Sequence, residues 1–225
     1  MVENIFDKNQ NFQFLSLTRE LEPPGILTEN TTYDFEFKNV EKQYESYQGI
    51  CVNLKYFIKV SINRNYNSLR CEEVFIVQNP EEPDMTSASI QLEVGIEECL
   101  HIQFMYMSNK YHLKDCVLGK VDFNLVRIKI KHMELAVVRK ESFGSGKTMQ
   151  TEKETLAKFE LMDGAPVKGE QVPIRYYLAG VDLTPTYREV LNRFSCRYFL
   201  NLILVDEEDR RYFKEAEITL WRKKL

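Results

Sequence analysis

Hydrophobic and polar residues alternate with a period of two along most of this chain. The longest run covers residues 52–62, where Val, Leu, Tyr and Ile occupy every second position between mostly polar neighbours. Shorter runs of the same kind cover residues 33–37, 90–94 and 100–104. Roughly a dozen such segments, separated by turn residues at intervals of about 8–12 positions, are typical of a β-sandwich or barrel. No helix of convincing length and no internal repeat is evident.

Several segments carry more specific predictions. Residues 194–205 are apolar on both faces from Leu200 onward, which indicates a central strand. The phase of alternation slips by one residue near Lys131 and His132, as expected for a β-bulge. The other predictions are a long polar loop over residues 140–154, one helical turn over 187–192, a hairpin turn over 206–209 and a strand break at Gly119.

Residues 78–89 form the best linker candidate, because they contain two prolines and several acids but almost nothing apolar. We therefore divide the chain into a first domain over residues 1–79, a linker over 80–89 and a second domain over 90–225. The first domain offers only about four strands, whereas a β-sandwich of the usual kind has about seven. We expect this first sandwich to be incomplete.

Residues 157–178 predict a strand, a tight turn at Asp163 and Gly164, and a second strand. Leu161 and Met162 are adjacent apolar residues directly before the turn, so strict alternation cannot bury both. Two interpretations remain open from the residues alone. Either both side chains tuck under the turn, or at least one is exposed and available for docking.

Composition and charge exclude several classes of protein. The chain has 225 residues, 44% of them hydrophobic and 28% charged, with a net charge of −4, which does not suit a protein that binds nucleic acid. Five cysteines at wide spacing, without a C-x-x-C pair, argue against a disulfide framework or a structural zinc site and favour reduced thiols in the cytoplasm. We find no signal peptide and no apolar run of about 18 residues, so we expect any contact with membranes to be indirect.

Candidate catalytic and metal-binding patterns are weak. Residues 144–148 read GSGKT, but the full phosphate-binding pattern needs a glycine where Glu141 stands and a helix after Thr148. The acids at 206–209 lack the spacing of a calcium loop. His101, His112 and His132 lie in separate predicted strands, away from any cysteine pair. We expect no enzyme activity, no cofactor and no metal site.

Long strings in the second half of the chain resemble a known family. They cover residues 92–104, 110–121, 125–135, 157–178 and 197–223, and shorter matches lie at 33–37 and 40–49. These segments are similar to the arrestin-like small subunit of the retromer complex, the vacuolar protein sorting-associated protein 26 family. The resemblance implies an all-β, arrestin-like fold with two β-sandwich domains joined by a short linker, the first one incomplete in this chain.

The resemblance also implies a function and partners. Members of the family are non-catalytic adaptors that bind an α-solenoid scaffold, vacuolar protein sorting-associated protein 35. They help sorting nexins and the cytoplasmic tails of cargo dock for retrieval from endosomes to the Golgi or the cell surface. We therefore expect a cytoplasmic protein that is peripheral on the endosomal membrane.

The family's contact positions can be transferred to this sequence. Scaffold binding falls on Leu161, Met162, Asp163 and Gly164, which implies that one or both apolar side chains are exposed in the free protein. Cargo and sorting-nexin contacts fall on Val94 and Phe213, although Phe213 alternatively fits a core position of the last hairpin.

This chain departs from the family at its N-terminal side. Opening strands that carry a contact for a PDZ-containing sorting nexin are expected to be missing, and Pro80 stands where relatives have an apolar residue. The alternative function is a retromer-independent arrestin-like scaffold for receptor tails.

Overall fold

The computed structural model describes residues 1–5, 11–81, 86–96, 98–144 and 149–224, and the side chain of Asn4 is not described. Within these residues, fifteen β-strands and one short 3-10 helix at Leu178–Gly180 account for the regular structure. The predicted all-β fold class is confirmed. The chain divides into two compact units, Met1–Asn79 and Pro80–Leu225.

The first unit contains five strands in two small sheets. The strands are β1 (Val2–Asn4), β2 (Tyr47–Gln48), β3 (Val52–Leu54), β4 (Tyr56–Asn63) and β5 (Ser68–Phe75). One sheet has the order β1-β3-β2, and the other is the β4-β5 hairpin. The long run predicted over 52–62 is thus two strands in different sheets. The strand predicted over 33–37 is wrong, because these residues join no ladder.

The second unit contains ten strands in two sheets. The strands are β6 (Ile90–Ile96), β7 (Leu100–Tyr106), β8 (Lys110–His112), β9 (Cys116–Val126), β10 (Ile130–Phe143), β11 (Gln150–Asp163), β12 (Gln171–Tyr177), β13 (Tyr187–Val190), β14 (Phe194–Asp206) and β15 (Arg211–Trp221). A four-stranded sheet has the order β12-β9-β7-β6. A six-stranded sheet has the order β11-β10-β14-β15-β8, with β13 paired to β14.

The core of the second unit lies between these two sheets. Inward residues of the four-stranded sheet, such as Ile102, Val121 and Ile174, are at most 2% exposed. Met133 and Leu200 on the six-stranded sheet are fully buried. Along β7, for example, every second position is removed from water, which is the pattern that the alternation in the sequence predicted.

Two predictions about β10 and β14 are confirmed. β14 lies between β10 and β15, as expected for a strand that is apolar on both faces. Its pairing with β10 shifts between Ile130 and His132, so Lys131 is the extra residue of a bulge.

Three other predictions are wrong. The polar segment 140–154 is mostly strand, because β10 continues to Phe143 and β11 begins at Gln150. The helical turn predicted over 187–192 is largely strand β13. Gly119 does not interrupt a strand but lies within β9, where it faces Tyr106 of β7. In each case pairing with a neighbouring strand outweighs local composition.

Candidate functional site

The scaffold-binding residues implied by the sequence lie at the end of β11, the edge strand of the six-stranded sheet. Met162 is paired with Met133 and Glu160 with Glu134, so Leu161 is an extra residue without a partner on β10. It therefore forms a β-bulge. The bulge places Leu161 and Met162 in similar environments: both side chains are half-buried, so neither is removed into the core and neither is fully exposed. The expectation that one or both would be exposed is met only in part.

The turn after the apolar pair is held firmly in place. Gly164 has a φ of 105°, a conformation that favours glycine, and no atom lies within 4 Å of the position that a Cβ would occupy. Its N–H donates to the carbonyl of Lys131 at 2.7 Å. At the far side of the turn, the N–H of Gly169 donates to the carbonyl of Phe123 at 2.7 Å. The turn therefore connects the two sheets and fixes the direction in which β11 ends.

The hairpin between β14 and β15 lies beside this turn, on the other side of β10. Lys131, whose carbonyl binds Gly164, also places its Nζ 3.3 Å from Asp209 Oδ1. Lys129 and Glu207 form a second ion pair at 3.5 Å. These two ion pairs join the residues at the start of β10 to the β14–β15 hairpin.

Asp206 stabilises this hairpin and is 2% exposed. Its carboxylate accepts hydrogen bonds from Arg210 Nε at 2.7 Å, from the Tyr212 hydroxyl at 2.9 Å, and from the backbone N–H groups of Glu208 and Arg210 at 3.0 and 2.9 Å. Burial by itself would raise the pKa of Asp206, but these bonds outweigh it and lower the pKa to about 2. The acids of 206–209 therefore form a hairpin turn, as predicted.

Phe213 lies on β15 opposite Ile203 and is 61% exposed, so the alternative of a core position is wrong. Ile203 is in turn opposite Glu134, which is opposite Glu160. Phe213 and the end of β11 therefore belong to one row across the sheet. With about 4.8 Å between neighbouring strands, three strand spacings separate them by about 14 Å.

Val94 lies elsewhere, in β6 at the edge of the four-stranded sheet. It is half-buried and opposite Ile102, which is fully buried, so Val94 shares the face that covers the core. Phe213 thus lies on the same sheet as the residues predicted to bind the scaffold, whereas Val94 lies in the other sheet. Sequence reasoning missed the hydrogen bond between Lys131 and the turn after the apolar pair, although the bulge at Lys131 was recognisable.

The remaining candidate chemistry gains no support. Ser145, Gly146, Lys147 and Thr148 lie outside the described residues, and β11 rather than a helix begins at Gln150. His101, His112 and His132 lie on β7, β8 and β10. No cluster of three or more metal-ligating side chains exists in the described part of the chain. Among the same residues there is no helix of the length and hydrophobicity needed to cross a membrane.

The fold and this surface define an all-β protein with a candidate protein-binding face. A family model described as vacuolar protein sorting-associated protein 26 matches residues 1–209. The chain is 55% identical over 223 residues to vacuolar protein sorting-associated protein 26 of Dictyostelium discoideum, covering 99% of this chain and 64% of the relative. It is 50% identical over 222 residues to vacuolar protein sorting-associated protein 26B of Danio rerio, covering 99% of this chain and 67% of the relative.

The chain therefore belongs to the vacuolar protein sorting-associated protein 26 family, and the resemblance recognised in the sequence is confirmed. It spans about two thirds of the length of these two relatives. Among solved structures, Spo0M, a sporulation control protein from Bacillus subtilis, is 13% identical with a TM-score of 0.42, covering 53% of this chain and 48% of that one. This similarity is too low to support an argument.

Proposed function

We propose that this chain is a non-catalytic adaptor subunit of the retromer complex. In this role it binds the α-solenoid scaffold, vacuolar protein sorting-associated protein 35, and acts in retrieval from endosomes to the Golgi or the cell surface. The observation that carries the proposal is the partly exposed pair Leu161 and Met162 at a bulge on an edge strand, in a chain of this family. The protein would be cytoplasmic and peripheral on the endosomal membrane, which it would reach through its partners.

The apolar pair has the properties of an interface centre. Both side chains keep part of their apolar surface accessible, while the bulge and the anchored turn hold the backbone in one conformation. Docking therefore costs little conformational entropy. Full burial of a large apolar side chain contributes about 1.5–3 kcal/mol, so completing the burial of a half-buried one contributes about 1 kcal/mol. The pair would then supply about 2 kcal/mol, or a factor of about 30 in affinity.

The exposed side chain of Phe213 favours a second protein-binding contact on the same sheet. Its 61% exposure leaves a large aromatic surface open beside Ile203. Aromatic side chains of this kind are frequent anchors at interfaces. We propose that Phe213 and Val94 contact sorting nexins and cargo tails, with Val94 acting through the edge strand β6. An extended tail that adds to this edge would gain main-chain hydrogen bonds and take its specificity from neighbouring apolar side chains.

The test is calorimetric titration of the chain with the C-terminal half of the scaffold solenoid. The Leu161→Asp/Met162→Asn variant should bind at least about 30-fold more weakly, because both apolar contacts are lost and a charge is placed in the interface. Leu118→Asp is the matched control, since Leu118 is also partly exposed, at 43%, but lies on β9 of the other sheet. It should bind as the wild type does.

The proposal fails if the folded wild-type chain does not bind the scaffold. That result would favour a retromer-independent arrestin-like scaffold for receptor tails. Equal weakening by the control variant would contradict the assignment of the site to Leu161 and Met162. A Phe213→Ser variant should retain scaffold binding and lose affinity only when a sorting nexin and a cargo peptide are added.

A further inference from the structure

The β4–β5 hairpin of the first unit has an open edge. It forms a two-stranded sheet, and β5 has no neighbour other than β4 in the described part of the chain. All eight residues of β5 are exposed. Unpaired main-chain groups along such an edge are a template for pairing with another strand.

The two faces of this hairpin differ strongly. One face carries Ile58, Val60, Ile62 and Leu69, which are 40–45% exposed, together with the exposed Cys71 and one charged residue, Glu73. The other face is mostly polar and includes Arg70 and Glu72. A two-stranded sheet is marginally stable in water, and additional strands allow its apolar face to form part of a larger core.

The turn of the hairpin determines which main-chain groups of β5 face outward. The N–H of Arg64 donates to the carbonyl of Asn67 at 2.8 Å, which makes these two residues a hydrogen-bonded pair. Hydrogen-bonded pairs recur at every second position of an antiparallel ladder. Val60 and Cys71, which are partners in the register, are therefore also such a pair. It follows that the main-chain groups of Arg70 and Glu72 point away from β4, toward the open edge.

We propose that two copies of this chain associate through their β5 edges, antiparallel, with the two-fold axis at Cys71. This register places Arg70 of each copy opposite Glu72 of the other. Opposite charges at directly facing positions stabilise an antiparallel pair, and like charges destabilise it. Registers centred on Arg70 or on Glu72 would instead place like charges opposite each other.

The charges of the hairpin favour β5 over β4 as the dimer edge. Arg70 takes part in no ion pair among the residues that the structure describes, so its charge is available to a second copy. Among the same residues Glu72 forms an ion pair only with Lys55, at 3.5 Å, and its side chain is 38% exposed. The only charged residue of β4 is Lys59. A two-fold pairing of β4 edges would therefore gain no ion pair.

An eight-residue edge is short, so the association should be weak. Stable interfaces bury at least about 1,200 Å² in total, and one added strand pair with its side chains lies near or below this limit. We expect dissociation constants in the micromolar range. The apolar face adds to the stability because it becomes continuous across four strands.

The first test is sedimentation velocity at concentrations from about 1 to about 100 µM, where a micromolar dimer changes from mostly dissociated to mostly formed. The apparent mass should double from 26.6 kDa. Arg70→Glu should weaken the dimer about tenfold or more, and the charge exchange Arg70→Glu/Glu72→Arg should restore it. Arg127→Glu, the same charge reversal at an exposed position of the second unit, is the matched control and should leave the dimer unchanged.

The second test is oxidative cross-linking. Facing residues in a non-hydrogen-bonded pair have Cα atoms about 4.5 Å apart, which is within the range of a disulfide. Mild oxidation should therefore link two copies through Cys71. Cys71→Ser should abolish the cross-link, whereas Cys99→Ser, at a half-buried cysteine of the second unit, should not.

Several results would overturn the proposal. A single 26.6-kDa species at the highest concentration, with the circular dichroism of a folded β protein, excludes the dimer. A dimer that Arg70→Glu does not weaken, or a cross-link that survives Cys71→Ser, places the contact elsewhere. Assemblies larger than two copies contradict a closed two-fold contact.

Discussion

Replacing Gly119 by alanine should strongly destabilise the second unit. Gly119 lies in β9, which has β12 on one side and β7 on the other. A Cβ at this position would come within 2.3 Å of the carbonyl oxygen of Met105 and within 3.3 Å of the Cα of Tyr106. Both are main-chain atoms of the neighbouring strand, so no side-chain rotation can relieve the contact. The strands themselves must move apart.

The size of the effect follows from this geometry. Overpacking in a core costs about 1–3 kcal/mol where side chains can adjust. Because the obstacle here is backbone in the middle of a sheet, we expect about 3 kcal/mol or more. For a domain of this size, 1 kcal/mol corresponds to about 2–4 °C in Tm, so Gly119→Ala should lower Tm by about 6–12 °C. Gly180→Ala is the control, because no atom lies within 4 Å of its Cβ position.

Urea unfolding followed by tryptophan fluorescence is a suitable assay. The chain has a single tryptophan, Trp221, which lies in β15, so its signal reports on the second unit alone. The ring contacts His112 with 5.4 Å between centroids, and this environment is lost on unfolding. If the two alanine variants differ in stability by less than about 0.5 kcal/mol, which is the usual range for surface changes, the close approach of the two strands is not as described.

Two further predictions concern the sheet that carries the candidate site. Asp206 has a pKa of about 2, below its ordinary value of 3.8, so its charge stabilises the fold above about pH 4 and this contribution is lost as pH falls toward 2. Asp206→Asn should therefore make the urea midpoint less dependent on pH between about 5 and 2, and an unchanged dependence would contradict the bonds assigned to this carboxylate. Phe213→Ser should change the free energy of unfolding by less than about 0.5 kcal/mol because Phe213 is exposed, whereas Ile218→Ala, at a fully buried position, should cost about 2–5 kcal/mol. Comparable losses in these two variants would place Phe213 in the core.

The sequence was sufficient to predict the all-β class, because alternation with a period of two is a local property of each strand. It also predicted the central position of β14, whose two apolar faces require cover on both sides, and the bulge at Lys131, which appears as a slip in phase. The turn at 206–209 was predictable because acids between two apolar runs favour a hairpin. The family could be identified from long matching segments.

Only the tertiary structure decided which segments pair with another strand in a sheet. Residues 33–37 alternate clearly but join no sheet, while the polar segment 140–154 is mostly strand because β10 and β11 pair along it. A main-chain hydrogen bond needs a neighbour that is remote in sequence, and composition does not reveal that neighbour. The same reason applies to the candidate site. From the sequence alone, the exposure of the adjacent residues Leu161 and Met162 could not be predicted. Both side chains are partly accessible because of the bulge at Leu161, and that bulge depends on the register with β10.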